Sequence, residues 1–203
     1  MHLRAQALVL SVRQHGEHNA VVRCLTLEAG LIAGYVRGGR SRAHRPVLQP
    51  ANQIVGEWRA RTDDQLAGLT VELIHSRAPL YSEPLAAAAL EWVTALTAVA
   101  LPESQPYPRL YAALDGMIAA IEAAPAARGW AVALVRYEDL LLAELGYGLD
   151  DAPAVTSESG WPAILAALAL TGREIEAHLL TDRRAEALAA RARLIERLKR
   201  AVA

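Results

Sequence analysis

The hydrophobic pattern of this chain changes period once, and the change divides it. Up to Arg77 apolar and polar residues alternate, whereas beyond Pro84 the apolar residues recur every three or four positions. A period of two belongs to a half-buried strand, and a period near 3.6 to a helix lying on a core. Pro79 and Pro84 mark the boundary, where each ring removes an amide donor and fixes φ. The pattern predicts an α+β chain, with a strand-built module over residues 1–78 and an all-helical domain over residues 79–203.

In the first module Leu8, Leu10 and Val12 alternate with Val9, Ser11 and Arg13, as in a half-buried strand. Residues 14–19 read as a polar turn and 20–27 as a second strand. Residues 28–30 form a tight turn, because Gly30 tolerates positive φ. Further strands are read at 31–37, 52–61 and 69–77, with a polar turn at 62–65. Five short strands in about 75 residues fit a small closed barrel of OB type, although an SH3-like barrel reads almost the same.

In the second module Ser82 is an N-cap candidate, with Pro84 in the first turn of a helix running to about Leu101. Residues 102–108 read as a linker. Leu110, Leu114, Met117, Ile118 and Ile121 define a second helix, and residues 129–145 a third, stopped by Gly146 and Gly148. A polar connection at 150–160 leads to a helix over 161–180, in which Gly172 is a candidate break, and a last helix over 183–202. The apolar run 85–101 is broken by Glu91 and is too short for a membrane span. The start, Met1-His2-Leu3-Arg4, runs straight into a strand pattern, so no signal peptide is read. The single cysteine, Cys24, excludes an internal disulfide and fits a reducing cytoplasm.

The formal net charge of -1 conceals blocks of opposite sign. Residues 1–78 carry +4, residues 79–182 carry -10, and residues 183–203 carry +5. The basic excess of the first module is concentrated in Arg37-Gly38-Gly39-Arg40-Ser41-Arg42-Ala43-His44-Arg45, four arginines in nine residues with no acid. A flexible cationic loop between two strands suits a polyanion such as a nucleic-acid backbone; the other reading is a solvated surface loop. Arg13 and Arg23 extend the patch if their strand faces point outward. Tyr35, on the same strand face as Arg37, either stacks a base or packs on the protein, and Trp58 belongs to the core. With two aromatics in the module, phosphate contacts should dominate over base stacking.

Other candidates carry less. His15-Gly16-Glu17-His18, with Cys24 beyond it, has no second ligand cluster, and Gly16 and Asn19 explain it as a turn, so no metal site is expected. Gly38-Gly39 lacks the Lys and Ser/Thr of a phosphate-binding P-loop. No nucleophile–base set stands out, and Glu138-Asp139 reads as part of a solvated helix face. The chain is therefore expected not to be an enzyme and to need no cofactor. Arg136 is isolated among acids, with Tyr137 and Leu141 on the same helix. An apolar groove rimmed by Arg136 would accept a peptide C-terminal carboxylate; a plain core helix is the other reading.

A set of motifs in fixed order adds a resemblance. It comprises Ala7-Leu8-Val9-Leu10, Gly16-Glu17, Thr26-Leu27-Glu28-Ala29-Gly30-Leu31, Arg37-Gly38-Gly39-Arg40-Ser41-Arg42 and Leu48-Gln49-Pro50. It continues with Tyr137-Glu138, Leu140-Leu141, Leu145-Gly146-Tyr147 and Ala169-Leu170-Thr171-Gly172. Together these resemble the bacterial RecO family of DNA repair proteins. The resemblance implies an N-terminal OB fold and a helical C-terminal domain, binding of single- and double-stranded DNA, and annealing of complementary strands. It also implies work with RecR, and in many bacteria RecF, in helping RecA replace single-strand-binding protein, whose acidic C-terminal tail the family binds. None of this requires nucleotide hydrolysis, and it places the protein in the cytoplasm at the nucleoid. The chain departs from many members in having no four-cysteine zinc element after Leu145-Gly146-Tyr147, so neither zinc nor a long insertion is expected. Competing readings are an interaction scaffold whose arginines pair with an acidic protein partner, and a metal-dependent nuclease, for which no carboxylate cluster is legible.

Overall fold

The computed structural model describes all residues except 63–64, 125, 150, 152–153, 181–184 and 203. The chain forms two compact units, Met1–Ser82 with Leu101–Tyr111, and Glu83–Ala100 with Ala112–Ala203. The first is built on strands β1 (His2–His15), β2 (Asn19–Thr26), β3 (Gly30–Val36), β4 (Gln53–Arg59) and β5 (Gly68–His75). They close into a barrel in the order β1-β2-β3-β5-β4. The pairings are antiparallel except the closing one, a single parallel pair between Tyr35 and Gly68. The OB-type barrel read from the sequence is therefore present.

The parity of β1 differs from that expected. Its register with β2 shifts between Val9 and Ser11, leaving Leu10 as an extra residue. A bulge of this kind flips the alternation. Ala5, Ala7 and Val9 thus enter the barrel core before the bulge, and Val12 packs against it afterwards. Leu8 and Leu10 are also buried, but outside this core cluster. With no phenylalanine in the chain, one large ring fills the barrel: Trp58 is fully buried. Glycine makes the room, since a Cβ on Gly56 would lie 2.3 Å from the Trp58 ring and one on Gly34 2.8 Å from its Nε1.

Residues 102–108, expected as a linker, lie along the barrel edge instead. Glu103 forms a parallel bridge with Leu31, and the Ser104 amide donates to the Leu31 carbonyl at 2.8 Å. Gly30 permits this approach. It sits at φ 68°, and a Cβ there would lie 1.9 Å from the Gln105 carbonyl oxygen. We refer to this segment as the strap.

The second unit contains α1 (Pro84–Ala100), α3 (Ala131–Glu144), α4 (Trp161–His178), α5 (Ala185–Val202) and most of α2 (Pro108–Ala123). Ser82 does not cap α1: its hydroxyl donates to the Pro79 carbonyl at 2.7 Å, closing a short 3-10 turn over Ala78–Ser82. Gly172 does not interrupt α4, which is continuous. A Cβ at that position would lie 2.2 Å from the Arg191 guanidinium, so the glycine makes space for a buried cation. The start of the expected last helix, at 183–184, lies outside the described residues.

Glu138, expected on a solvated face, is 1% exposed. The Trp92 indole donates to Oε1 at 2.7 Å, and the Thr171 hydroxyl donates to Oε2. Arg191 reaches Oε2 at 3.5 Å from above the Trp92 ring. Burial pushes the Glu138 carboxyl above its usual range, opposed first by the Arg191 charge and then by these hydrogen bonds. One carboxylate thus joins α1, α3, α4 and α5, and a buried charge is tolerated because each oxygen has a donor. Next to it, the Tyr137 hydroxyl donates to Thr97 Oγ1, which itself donates to the Val93 carbonyl.

Candidate nucleic-acid interface

The arginine loop joins β3 to β4, and it is fixed rather than flexible. The Gly38 amide donates to Asn19 Oδ1 at 3.0 Å, and the Arg40 amide to the His18 carbonyl at 3.1 Å. These two bonds tie the loop to the β1–β2 hairpin. Inside the loop, the Ser41 amide donates to the Gly38 carbonyl and the Arg45 amide to the Ser41 carbonyl. His44 Nδ1 lies 3.0 Å from the Gly38 carbonyl and 3.1 Å from Ser41 Oγ. The exit is held by Asn52, fully buried, whose Nδ2 donates to the Pro46 and Val47 carbonyls and whose Oδ1 accepts from the Arg77 amide. Gly39 packs under the loop, where a Cβ would fall 2.7 Å from the Ala20 Cβ.

This scaffold leaves the charges outside. Arg37, Arg40, Arg42 and Arg45 are exposed, and among the described residues no carboxylate forms an ion pair with any of them. Arg45 Nε donates to the Arg40 carbonyl at 3.1 Å and Arg40 to that of Glu17 at 3.4 Å. Arg40 and Arg45 line a hollow with Glu17, His18, Gly38 and Ser41. Four guanidiniums with no carboxylate ion pair among the described residues thus concentrate positive charge on a hydrogen-bonded frame.

The remaining candidates fall into two groups. Arg13 and Tyr35 both register against Val21, so they stand on the outer surface of three adjacent strands. Arg13 is exposed. Tyr35 is half-buried, with the His15 ring edge-on at 5.6 Å. Arg23 is also on the outer face, but its guanidinium pairs with Glu103 of the strap at 2.9 Å and does not join the loop cluster. On the barrel strands Arg4 and Arg59 pair with Glu72 and Glu57, and beyond them the buried Arg77 donates to the Ala51 carbonyl. The histidines and cysteine weighed as ligands are apart in role: His18 is exposed, while Cys24 is in the barrel core, where burial pushes the thiol up to about 12. Among the described residues no group of three His, Cys, Asp or Glu is close enough to hold a metal ion.

In the helical unit a groove of about 420 Å³ runs between α2 and α3. Met117, Val132, Tyr137 and Leu140 supply apolar wall, Arg136 is exposed beside it, and Gly116 leaves open space where a side chain would stand. Leu141 does not line the groove; it is fully buried in the core. Arg136 Nη2 donates to the Val155 carbonyl at 3.3 Å, and Arg128, over the Trp161 ring, donates to the Ser157 carbonyl at 3.2 Å.

A five-stranded OB-type barrel with an exposed arginine loop, followed by a helical unit with an arginine-rimmed groove, defines a two-module α+β class of protein. Residues 1–77 match the family model for Recombination protein O, N terminal, and residues 81–157 that for Recombination protein O, C terminal. The chain is 44% identical over 163 residues to the DNA repair protein RecO of Gluconacetobacter diazotrophicus, covering 78% of this chain and 64% of that protein. It is 42% identical over 151 residues to that of Ruegeria sp., covering 74% and 61%. With the RecO of Rhodospirillum centenum the identity is 34% over 238 residues, covering 96% of this chain and 94% of the relative. The chain belongs to the RecO family of DNA repair proteins. In the first two alignments it spans less than two thirds of its relatives. The third alignment is longer than the 203 residues of the chain, so that relative holds residues inside the matched span that this chain lacks. No helix among the described residues is long and apolar enough to cross a membrane.

Proposed function

We propose that this protein is a non-enzymatic recombination mediator that binds single- and double-stranded DNA through the arginine loop and anneals complementary strands. The observation that carries this reading is the loop itself: Arg37, Arg40, Arg42 and Arg45 project from a hydrogen-bonded frame, and among the described residues no acid is paired to them. Two strands that meet must overcome the repulsion of their backbones, and guanidiniums that neutralise phosphates on both reduce it. Contacts to phosphates carry no base information, so binding is indifferent to sequence. Arg13 and Tyr35 lie on the adjoining outer face and extend the track.

The groove beside Arg136 receives the acidic C-terminal tail of single-strand-binding protein, its wall taking an apolar side chain and the guanidinium a carboxylate. With RecR, and with RecF where present, the protein helps RecA onto coated DNA at the nucleoid. The test is annealing of complementary oligonucleotides by the wild type and by a variant with Arg37, Arg40, Arg42 and Arg45 all changed to Ala. The variant should lose annealing while keeping its fold by circular dichroism; equal annealing rates would overturn the assignment of the loop.

A further inference from the structure

Arg23 is the one outward arginine on the β2 face, and it is already occupied. Its Nη2 lies 2.9 Å from Glu103 Oε1, in the same unit. Glu103 is delivered there by backbone bonds: its bridge to Leu31, the Ser104 amide on the Leu31 carbonyl, and the approach that Gly30 allows. Ser104 sits at φ 59°, a left-handed conformation unusual outside glycine, so the strap turns sharply immediately after Glu103. The Glu103 side chain is 56% exposed and the Arg23 side chain 27%. Solvent reaches the pair from the Glu103 side and screens it, which leaves the contact open to exchange. Arg23 registers against Ser11 and Ala33, one step along the same outer face from the Arg13–Val21–Tyr35 row. A backbone following that row from the arginine loop arrives at Arg23.

We propose that Glu103 acts as an internal phosphate mimic: it occupies Arg23 in the free protein and competes with nucleic-acid phosphate for it. This rests on the reading of the barrel as a DNA-binding surface. The strap then sets affinity below the maximum the barrel can reach, so that strands are held and released rather than trapped. The ligand is any phosphodiester backbone, because the exchange trades one carboxylate for one phosphate on the same guanidinium.

The test uses the full chain and a fluorescent single-stranded oligonucleotide titrated at several salt concentrations. Glu103→Gln retains the strap's backbone contacts and removes the competing charge. One additional phosphate contact steepens the log–log salt dependence by roughly 0.7 and raises affinity about fivefold at 0.1 M salt. Arg23→Ala alone should change affinity little, and in the Glu103→Gln background it should abolish the gain. Equal affinity and slope for Glu103→Gln and wild type would overturn the proposal, as would a gain that survives Arg23→Ala. The quadruple loop variant, measured alongside, separates the two levels. If it loses binding while Glu103→Gln behaves as wild type, the DNA-binding reading stands and the mimic falls. If neither the wild type nor Glu103→Gln binds the oligonucleotide at low salt, both fall.

Discussion

An alanine at position 172 would place its Cβ 2.2 Å from the Arg191 guanidinium, so the guanidinium would have to leave its present partners. Arg191 is 8% exposed, its guanidinium stacked over Trp92 and bonded to Glu138 and the Leu168 carbonyl. Displacing it leaves Glu138 buried without its cation, a loss of roughly 3–5 kcal/mol, against a gain of about 1 kcal/mol from alanine's better helix propensity. Gly172→Ala should therefore destabilise the protein by about 2–4 kcal/mol in urea denaturation, and an unchanged or raised midpoint would show that Arg191 relaxes freely. Cys24 gives a second residue-scale expectation. Burial raises its thiol from 9.0 to about 12, so the folded state favours the protonated form. The resulting stability is complete below pH 9 and is lost as pH rises from 9 toward 12. A thiol reagent at pH 8 should label the native protein far more slowly than the urea-unfolded chain; rapid native labelling would contradict the burial. The buried place of Glu138 had a signal in the sequence. Leu134, Val135, Leu141 and Leu142 mark one helix face, and Glu138 stands in the middle of it. A carboxylate in the middle of an apolar stripe belongs to the core by position, whatever its charge.

At the scale of elements, the loop and the groove differ in how far spacing alone defines them. The loop's charge was legible because four arginines without an acid need no fold to be noticed. Its rigidity was not, because the bonds that fix it come from Asn19, His44 and Asn52, polar residues that read as turn or strand filler. The strap was missed for a similar reason: a Pro-rich stretch without period looks like a linker, and only the space above Gly30 shows where it lies. The groove was half legible. Arg136 and Tyr137 line it, whereas Leu141 faces the core, and Gly116 on α2 supplies the opening. Changing Arg136 to Ala should weaken binding of an acidic peptide with a free C-terminal carboxylate by about tenfold or more, the worth of a hydrogen bond to a charged group. Amidating the peptide should cost the wild type a similar factor and the variant little. Fluorescence anisotropy measures both, and equal binding of the free and amidated peptides by the wild type would remove the groove from the account.

Across the whole molecule, the division into a barrel and a helical unit followed from the change of hydrophobic period, because strand and helix bury their faces at different spacings. The parity of β1 did not follow, since a single bulge at Leu10 inverts it without altering composition. The central claim is the proposal about charge: that the loop arginines, which meet no carboxylate among the described residues, bind nucleic-acid backbones by displacing their counterions. The most direct measurement is the salt dependence of single-stranded DNA binding for the wild type and the quadruple loop variant. Four phosphate contacts correspond to a log–log slope of roughly -3, independent of base sequence. The wild type should show at least this slope, and the variant a slope shallower by about 3. Equal slopes for the two proteins would contradict the claim that the loop holds the DNA.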